Sequence, residues 1–242
     1  MRYTKRKKIG RIAKILNVNK PVGKSSYDIV RRVKKILNFK KVGHGGTLDP
    51  FADGVLIILI GRGATKRMNE ILQKSKTYRA VLVLGEQRDT GDIEGKTVKE
   101  AGIPEITEDM LKRTAERFIG EYDQMPPQYS AKKVNGRPAY KYARKGIKVD
   151  LQPKKVQIHN LDLKKTDERK LEILVECSSG TYVRVLGEDI SKALRTVGYL
   201  EQLTRESIGE YTLANAIEYD HLDSALTDEK RILKSTEEIS VN

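Results

Sequence analysis

Apolar and polar residues follow patterns along this chain that predict both strands and helices. Apolar side chains occupy every second position over 171–177, with Glu172 and Glu176 between them, which is typical of a strand. Residues 77–84 are apolar on both faces and predict a central strand. Residues 26–37 carry apolar side chains at helical spacing. Because helices and strands do not alternate regularly, we expect an α+β fold with a mixed or antiparallel sheet.

Other segments complete the predicted elements. The pattern predicts further strands over 13–19, 55–60 and 203–211, and further helices over 64–73, 107–120, 138–145 and from 181 to 195. Residues 86–96 are polar, contain glycine and are predicted to form a loop.

The segment Gly43–Leu56 contains a histidine, four glycines and the pair Asp49–Pro50, directly before an apolar run. Glycines let the backbone turn tightly and let another molecule approach closely. Pro50 restricts the backbone of Asp49 and removes the following donor. A pinned carboxylate at the entrance to a buried strand is suited to chemistry on a bound ligand. Asp-Pro pairs and glycine-rich loops are also ordinary turn elements, which is the alternative interpretation.

Charge is distributed unevenly over the 242 residues, which carry a net +14. From Glu218 onward there are seven acidic and three basic residues, a net −4, so residues 1–217 carry +18. A surplus of this size indicates a polyanionic partner, with nucleic acid as the leading candidate. The alternative is a lysine-rich solvated surface of the kind found in thermophiles.

Seven basic residues and three tyrosines, with no acidic residue, lie between Tyr129 and Val149. Basic side chains bind phosphates, and tyrosines stack on unpaired bases. An ordinary exposed loop with a short helix is the alternative, but the absence of acids favours RNA contact. The predicted RNA-binding residues are Lys132, Lys133, Arg137, Lys141, Tyr142 and Arg144.

The sequence predicts no disulfide, metal site or membrane span. Cys177 is the only cysteine, and the three histidines have no metal-ligand spacing. The longest apolar run, Val55–Ile60, is far too short to cross a bilayer. Six basic residues within 1–11 are followed by no apolar signal-peptide core. We therefore expect a cytoplasmic protein that binds no metal.

The segment Gly43–Leu56 closely resembles the catalytic motif of the TruB family, the bacterial tRNA pseudouridine-55 synthases. Further segments are similar to other motifs of that family and occur in the family's order. They are Leu16–Ser26, Lys76–Tyr78, Leu84–Gly85, Asp89–Asp92, Met125–Ala131, Tyr140–Gly146, Cys177–Arg184 and Leu200–Arg205. Because so many separate motifs recur in order, chance is a poor explanation.

The resemblance implies a role for particular residues. It implies that Asp49 is the essential catalytic residue, with Tyr78 and Arg184 as the active-site tyrosine and arginine. His44 is expected to fill the space that the flipped base vacates, and Lys20 to support the loop of Asp49. The implied substrate-binding residues are His44, Lys20, Gly45, Gly46, Tyr182 and Leu203.

The resemblance also implies a fold and a domain organisation. We expect the pseudouridine synthase catalytic fold, a mixed but mainly antiparallel bent sheet flanked by helices, with a central cleft. The catalytic domain is predicted over 1–217, with an RNA-gripping insertion over about 124–150, and a short acidic tail over 218–242. The family commonly carries a C-terminal RNA-binding domain of the PUA type, and we expect that this chain has no complete one.

The implied activity is the isomerisation of uridine 55 to pseudouridine in the T-arm of tRNA. The base is flipped out, its bond to ribose C1′ is broken at N1, and the sugar is rejoined at C5. This reaction requires no cofactor, and we expect tRNA as the partner, no obligatory protein partner and a monomer. The residues leave open whether Asp49 acts as a nucleophile or as a base.

Two other functions are consistent with the residues. An RNA chaperone that folds tRNA without catalysis would use the basic segment Tyr129–Val149 but would not need Asp49. A related synthase that modifies another RNA, or works within a guide-RNA complex, would be indicated by a C-terminal RNA-binding domain.

Overall fold

The computed structural model describes residues 13–130, 132–134, 136–228 and 230. The basic segment 1–11 and the end of the predicted acidic tail, 231–242, lie outside the described residues. The described chain forms two compact units. Unit 1 contains the chain up to Lys74 and from Ser207 onward, and unit 2 is Ser75–Glu206. Within the described ranges, no helix has the length and apolar character to span a membrane.

Strands and helices are numbered here in chain order. The strands are β1 (Lys14–Lys20), β2 (Val42–His44), β3 (Asp53–Ile60), β4 (Lys76–Leu84), β5 (Glu86–Arg88), β6 (Thr97–Glu100), β7 (Gly120–Gln124), β8 (Lys133–Val134), β9 (Arg137–Pro138), β10 (Lys154–Lys165), β11 (Lys170–Cys177), β12 (Gly198–Ile208), β13 (Tyr211–Thr212) and β14 (Ile217–Glu218). The helices are α1 (Ser26–Leu37), α2 (Gly61–Thr65), α3 (Met68–Gln73), α4 (Glu108–Phe118), α5 (Ala139–Ala143), α6 (Val183–Ala193) and α7 (Leu222–Ala225), with short 3₁₀ turns at Leu213–Asn215 and Tyr219–His221.

Unit 1 is organised around the fully apolar strand β3. It pairs antiparallel with β1, from Lys14 opposite Ile60 to Lys20 opposite Gly54, and β14 joins the far edge of β1 in parallel. Side chains on one face of β3 pack with α1, and those on the other face pack with residues of α2 and α3. Since both faces are covered, the strand is continuously apolar instead of alternating.

Helix α1 begins where the sequence predicts it. The Ser25 hydroxyl accepts a hydrogen bond from the Asp28 N–H, and the Asp28 carboxylate accepts one from the Ser25 N–H, which forms a capping box. The Ser25 hydroxyl also donates to Oδ2 of Asp28 at 2.6 Å, and this bond, together with the weaker effect of the bond from the Ser25 N–H, lowers the pKa of Asp28 to about 2. The cap directs the apolar face of α1 onto β1 and β3, and this contact places the turn before α1 close to the loop that carries Asp49.

Unit 2 contains an antiparallel sheet in the order β4, β11, β10, β7. Helix α4 packs on β10. The chain leaves the sheet at Gln124 and returns at Lys154, and these two residues are register partners in the β7–β10 pair. The segment between them contains the β8–β9 hairpin and α5, and it corresponds to the predicted insertion.

The α+β fold with a mixed, mainly antiparallel sheet is confirmed, because both units combine such strands with flanking helices. The predicted bend and central cleft stay predictions. Three local predictions were wrong. The helix over 64–73 is two short helices, since the chain breaks at Lys66 and Arg67. The loop predicted over 86–96 was wrong only at its start, because Glu86–Arg88 form β5, and residues 89–96 are the loop of the β5–β6 hairpin. The strand over 203–211 is β12, which begins at Gly198 and ends before a turn at Gly209, where φ is +52°.

The acidic segment predicted as a tail begins as part of unit 1. Strand β14 pairs with β1, and the side chains of Leu222 and Leu226 are fully buried in the cluster that contains α1. The predicted boundary at residue 217 stays a prediction, but the described residues after it contribute to the core.

Replacing Leu222 by alanine is therefore expected to lower the free energy of unfolding by about 2–5 kcal/mol, because the change leaves a cavity in a core. Urea denaturation monitored by circular dichroism measures this loss. Val22→Ala, at a side chain that is 62% exposed, serves as the control. Equal stability of Leu222→Ala and wild type would show that the segment after β14 is not part of the folded core.

Candidate active site

Asp49 lies in unit 1, half-buried, in a loop that is held on both sides of it. The Ser26 hydroxyl accepts a hydrogen bond from the Leu48 N–H at 2.8 Å and donates one to the Leu48 carbonyl at 3.1 Å. The Gly23 N–H donates to the Pro50 carbonyl at 2.8 Å. The residues before and after Asp49 are thus fixed to the start of α1 and to the preceding turn. The carboxylate is presented from a rigid main chain.

Lys20 closes that preceding turn. Its side chain is fully buried, and Nζ donates to the carbonyl of Pro21 at 2.9 Å and to that of Lys24 at 2.7 Å. Burial of an ammonium group is costly unless hydrogen bonds compensate it, and these two carbonyls provide such bonds. Because the turn Pro21–Lys24 includes Gly23, Lys20 stabilises the main chain that holds Pro50. This geometry agrees with the supporting role predicted for Lys20, which stays a prediction.

His44, Gly45 and Gly46 connect β2 to the Asp49 loop. His44 is half-buried opposite Ile58. A Cβ on Gly45 would lie 2.9 Å from Cγ2 of Ile71, and Gly46 has φ of +104°, a conformation that favours glycine. The chain's own packing therefore accounts for both glycines, and their predicted contact with substrate stays a prediction.

Tyr78 and Leu203 lie in unit 2 and are largely buried. Tyr78 is on β4 opposite Val175, and Leu203 is on β12. Both side chains therefore belong to rigid strands, as a surface that contacts a flat base would require.

Arg184 occupies the first turn of α6, and its side chain is 5% exposed. Nη1 donates to the Thr90 carbonyl at 2.6 Å, and Nη2 donates to the Tyr129 carbonyl at 2.9 Å. Nε lies 3.6 Å from Oδ2 of Asp92. A cation is disfavoured near a helix N-terminus, so these acceptors are needed to hold the charge there. They also fix the direction of the guanidinium plane.

Asp92 was not recognised as a site residue from the sequence. Its side chain is 6% exposed, and Oδ1 accepts hydrogen bonds from the Thr90 hydroxyl at 2.7 Å and the Glu94 N–H at 3.1 Å. Asp92 is the second aspartate of the segment Asp89–Asp92, which resembles a TruB-family motif, but only the fold shows that it lies beside Arg184. The sequence separation between Asp92 and Arg184 explains why spacing alone did not reveal the pair.

A further residue that the sequence did not single out is basic and lies at the start of β4. Lys76 is buried, and its pKa is lowered to about 8. The main cause is burial, and the second is the positive charge of Arg205. Arg205 is itself 1% exposed. Lys76 lies two residues before Tyr78, on the same face of the strand. Burial also raises the pKa of the neighbouring Cys177 thiol to about 11, so this cysteine is an inert core residue.

The predicted RNA-binding residues lie between β7 and β10 and differ in exposure. Lys133, Arg137, Lys141 and Arg144 are exposed, and Arg144 lies over the ring of Tyr140. Lys132 instead donates to the Gln152 carbonyl at 3.0 Å, and the Tyr142 hydroxyl donates to that of Val134 at 3.4 Å. The four exposed cations are thus available to a ligand, while Lys132 and Tyr142 also stabilise the insertion.

The predicted site residues fall into two groups. Lys20, His44, Gly45 and Gly46 share unit 1 with Asp49, and Tyr78, Tyr182, Arg184, Leu203 and the basic insertion belong to unit 2. Within the residues that the structure describes, no cluster of three or more His, Cys, Asp or Glu side chains is arranged to hold a metal ion. The predicted catalytic groups are a carboxylate in unit 1, and a guanidinium and a phenol in unit 2.

Comparison with known proteins identifies the family. Residues 34–183 match the model of the TruB family pseudouridylate synthase, N-terminal domain. The chain belongs to the TruB family. The matched range includes Asp49 and Tyr78 and ends one residue before Arg184. It also includes the whole insertion between β7 and β10.

Curated relatives extend this similarity over most of the chain. The tRNA pseudouridine synthase B of Bordetella avium is 42% identical over 227 residues, which are 93% of this chain and 92% of the relative. The protein of the same name from Psychrobacter arcticus is 40% identical over 226 residues, or 91% of this chain and 59% of the relative. The chain therefore spans less than two thirds of the Psychrobacter protein.

Solved structures show the same fold. A chain from the Cbf5–Nop10–Gar1 complex matches with a TM-score of 0.68 and 25% identity, covering 90% of this chain and 58% of that one. A chain from the archaeal box H/ACA Nop10–Cbf5 complex matches with a TM-score of 0.63 and 22% identity, covering 92% of this chain and 58% of that one. The TruB-family catalytic fold is thus shared with these proteins.

Asp92→Asn tests how strongly the carboxylate stabilises Arg184. The substitution keeps the volume of the side chain but removes a charge beside a buried guanidinium, so we expect a loss of about 1–3 kcal/mol in the free energy of unfolding. The control is Asp89→Asn in the same loop, where the carboxylate accepts only the exposed Lys96 N–H among its described hydrogen bonds. Equal losses in the two variants, measured by urea denaturation, would argue against a specific role of Asp92.

Proposed function

We propose that this protein isomerises uridine to pseudouridine at position 55, in the T-arm of tRNA. The observation that carries the proposal is the Asp49 loop, where a TruB-family catalytic motif presents a carboxylate between two fixed main-chain positions. The names of the relatives support the choice of tRNA as substrate, since proteins 40–42% identical are tRNA pseudouridine synthases B.

The reaction changes the connectivity of the nucleotide but not its composition. The bond from ribose C1′ to N1 of uracil breaks, the base turns, and C1′ bonds to C5. The proton on C5 is lost, and N1 gains a proton. Asp49 initiates this exchange, either by attack on the nucleotide or by removal of a proton, and both routes need a fixed carboxylate directed at the sugar and base.

Arg184 would pair with Asp49 and fix the direction of its carboxylate. A guanidinium binds a carboxylate through two parallel hydrogen bonds and favours the charged form. The support is the way Arg184 is held, since Thr90, Tyr129 and Asp92 fix a cation at a helix start that disfavours it. A rigid cation of this kind is already oriented before the substrate binds, so little reorganisation accompanies the reaction.

The remaining site residues would bind the flipped base. Tyr78 would stack on the uracil and Leu203 would pack against it, because both are large and held on strands. Tyr182 lies at the start of α6, beside Arg184, and would contact the same nucleotide. His44 would occupy the space left in the T-arm, where the adjacent glycines carry no side chain that would obstruct the RNA.

The basic insertion would grip the tRNA backbone. Its exposed cations, together with the net charge of +14, supply the attraction to phosphates. We propose that the protein acts as a monomer in the cytoplasm, without an obligatory protein partner or cofactor.

The experiments below also test two alternative functions. Catalysis by a guide-RNA complex is the less favoured, because the matched chain of the Cbf5–Nop10–Gar1 complex is 25% identical, whereas the relatives named tRNA pseudouridine synthase B are 40–42% identical. An RNA chaperone would explain the basic insertion but not the hydrogen bonds that hold the main chain around Asp49.

Asp49→Asn is expected to abolish tritium release from tRNA labelled with uridine-5-³H, because the amide can neither attack nor accept the proton. Wild type is expected to release tritium over many turnovers. Asp53→Asn is the matched control, since this second aspartate of the same motif lies at the start of β3, and it should turn over within a few fold of wild type.

The outcomes separate the proposed functions. Tight tRNA binding without tritium release by wild type would favour the chaperone. Release by Asp49→Asn at the wild-type rate would exclude Asp49 as the catalytic residue.

Lys141→Ala is expected to weaken tRNA binding and to reduce the slope of log affinity against log salt by about 1, as for the loss of one phosphate contact. Filter binding between 50 and 200 mM salt, roughly the range where such slopes are measured, gives both values. Lys164→Ala, an exposed lysine on β10, is the control. The same slope for Lys141→Ala and the control would remove Lys141 from the RNA interface.

A further inference from the structure

The base of the insertion is joined to the segment that carries Arg184. The insertion leaves the sheet at Gln124 and returns at Lys154, its register partner. Nζ of Lys154 donates to the Ser179 carbonyl at 3.2 Å, in the turn before α6. The carbonyl of Tyr129, five residues into the insertion, accepts from Nη2 of Arg184 at 2.9 Å. All of these contacts lie within unit 2.

Gln124 makes the most specific of these connections. Its side chain is 1% exposed, Oε1 accepts the Tyr182 N–H at 2.7 Å, and Nε2 donates to the Tyr182 carbonyl at 3.0 Å. Nε2 also donates to the Tyr122 hydroxyl. The amide therefore uses both of its donors and its acceptor, and two of its three bonds hold one residue's main chain.

The hydrogen bonds of Gln124 act on α6 through Tyr182. It is the N-cap residue of α6, and its own side chain makes no capping bond. The main chain of an uncapped helix start is free to fray unless another group binds it. Gln124 binds both the N–H and the carbonyl of Tyr182, two residues before Arg184, and so determines where the first turn of α6 begins.

We infer that Gln124 is a positioning residue of the catalytic site, which couples the base of the insertion to the placement of Tyr182 and Arg184. This inference rests on the proposed function, because its effect is read in pseudouridine formation. When the insertion grips RNA, strand β7 and its last residue hold α6 in the geometry that presents the guanidinium. Gln124 touches no reacting atom and acts through the main chain of Tyr182.

A second glutamine provides a matched comparison. Nε2 of Gln128 donates to the Val149 carbonyl at 2.9 Å, and its Oε1 accepts the Val149 N–H at 3.0 Å. The two bonds have the same form as those of Gln124, but they join two parts of the insertion to each other. Gln128 thus stiffens the insertion, whereas Gln124 connects it to the Arg184 helix.

The test compares Gln124→Leu with Gln128→Leu in single-turnover pseudouridine formation at saturating tRNA, together with tRNA affinity by filter binding. We expect Gln124→Leu to slow the saturated rate roughly thirtyfold, which corresponds to about 2 kcal/mol, with less than a threefold change in affinity. We expect Gln128→Leu to weaken affinity more than it lowers the saturated rate.

The outcomes are distinguishable from failure of the proposed function. If wild type forms no pseudouridine, the proposed function is wrong. If wild type is active and Gln124→Leu reacts within threefold of it, the inference is wrong. Equal losses of rate and affinity in both variants would also overturn it, because Gln124 would then act only through folding of the insertion.

Gln124→Glu provides a second test that does not depend on loss of packing. An ionised carboxylate still accepts the Tyr182 N–H but cannot donate to the Tyr182 carbonyl, whereas the protonated form can. Burial and the facing carbonyl favour the protonated form. The rate relative to wild type should therefore rise at least about tenfold from pH 8 to pH 5.5. A ratio that does not change with pH would contradict the inference.

Discussion

The structure of the Asp49 loop depends on the two hydrogen bonds by which the Ser26 hydroxyl holds the main chain of Leu48. They join the start of α1 to the residue before Asp49, and the Gly23–Pro50 bond completes the support on the other side. Because these partners belong to a capped helix and a turn closed by Lys20, the carboxylate takes its direction from secondary structure. A loop residue that we propose to be catalytic is thereby positioned as precisely as a residue of a buried helix or strand.

The two ends of the proposed mechanism are stabilised by different means. Asp49 is fixed through the backbone, whereas Arg184 is fixed through its side chain by two carbonyls and a carboxylate. The difference follows from the chemistry of the two groups. A buried guanidinium has five N–H donors that need acceptors, whereas a carboxylate on a half-exposed loop has no donors to satisfy. Gln124 adds backbone control to the arginine side of the site, where an uncapped helix start would otherwise be mobile.

Much of this arrangement was predictable from the sequence, and the reasons are local. The cap of α1, the alternation in β11 and the continuously apolar β3 each reflect short-range patterns, and the motif around Asp49 identified the family. Asp92, Gln124 and Ser26 were not predicted as site residues, because their partners are 92, 58 and 22 residues away, respectively, and only the fold brings them close. The division of the 64–73 helix also escaped prediction, since its apolar spacing continues across the break.

The pairing of β14 with β1 affects the order in which parts of the chain can fold. Val18 and Ile217 are register partners although the whole of unit 2 lies between them in the chain. During synthesis, the strands that flank Asp49 emerge first, but the edge of β1 stays open until the residues after unit 2 have left the ribosome. Unit 2, being continuous in sequence, has no such requirement and can form as an independent intermediate. An exposed strand edge favours pairing with other chains, so the β14 pairing removes one edge at which the nascent protein could aggregate.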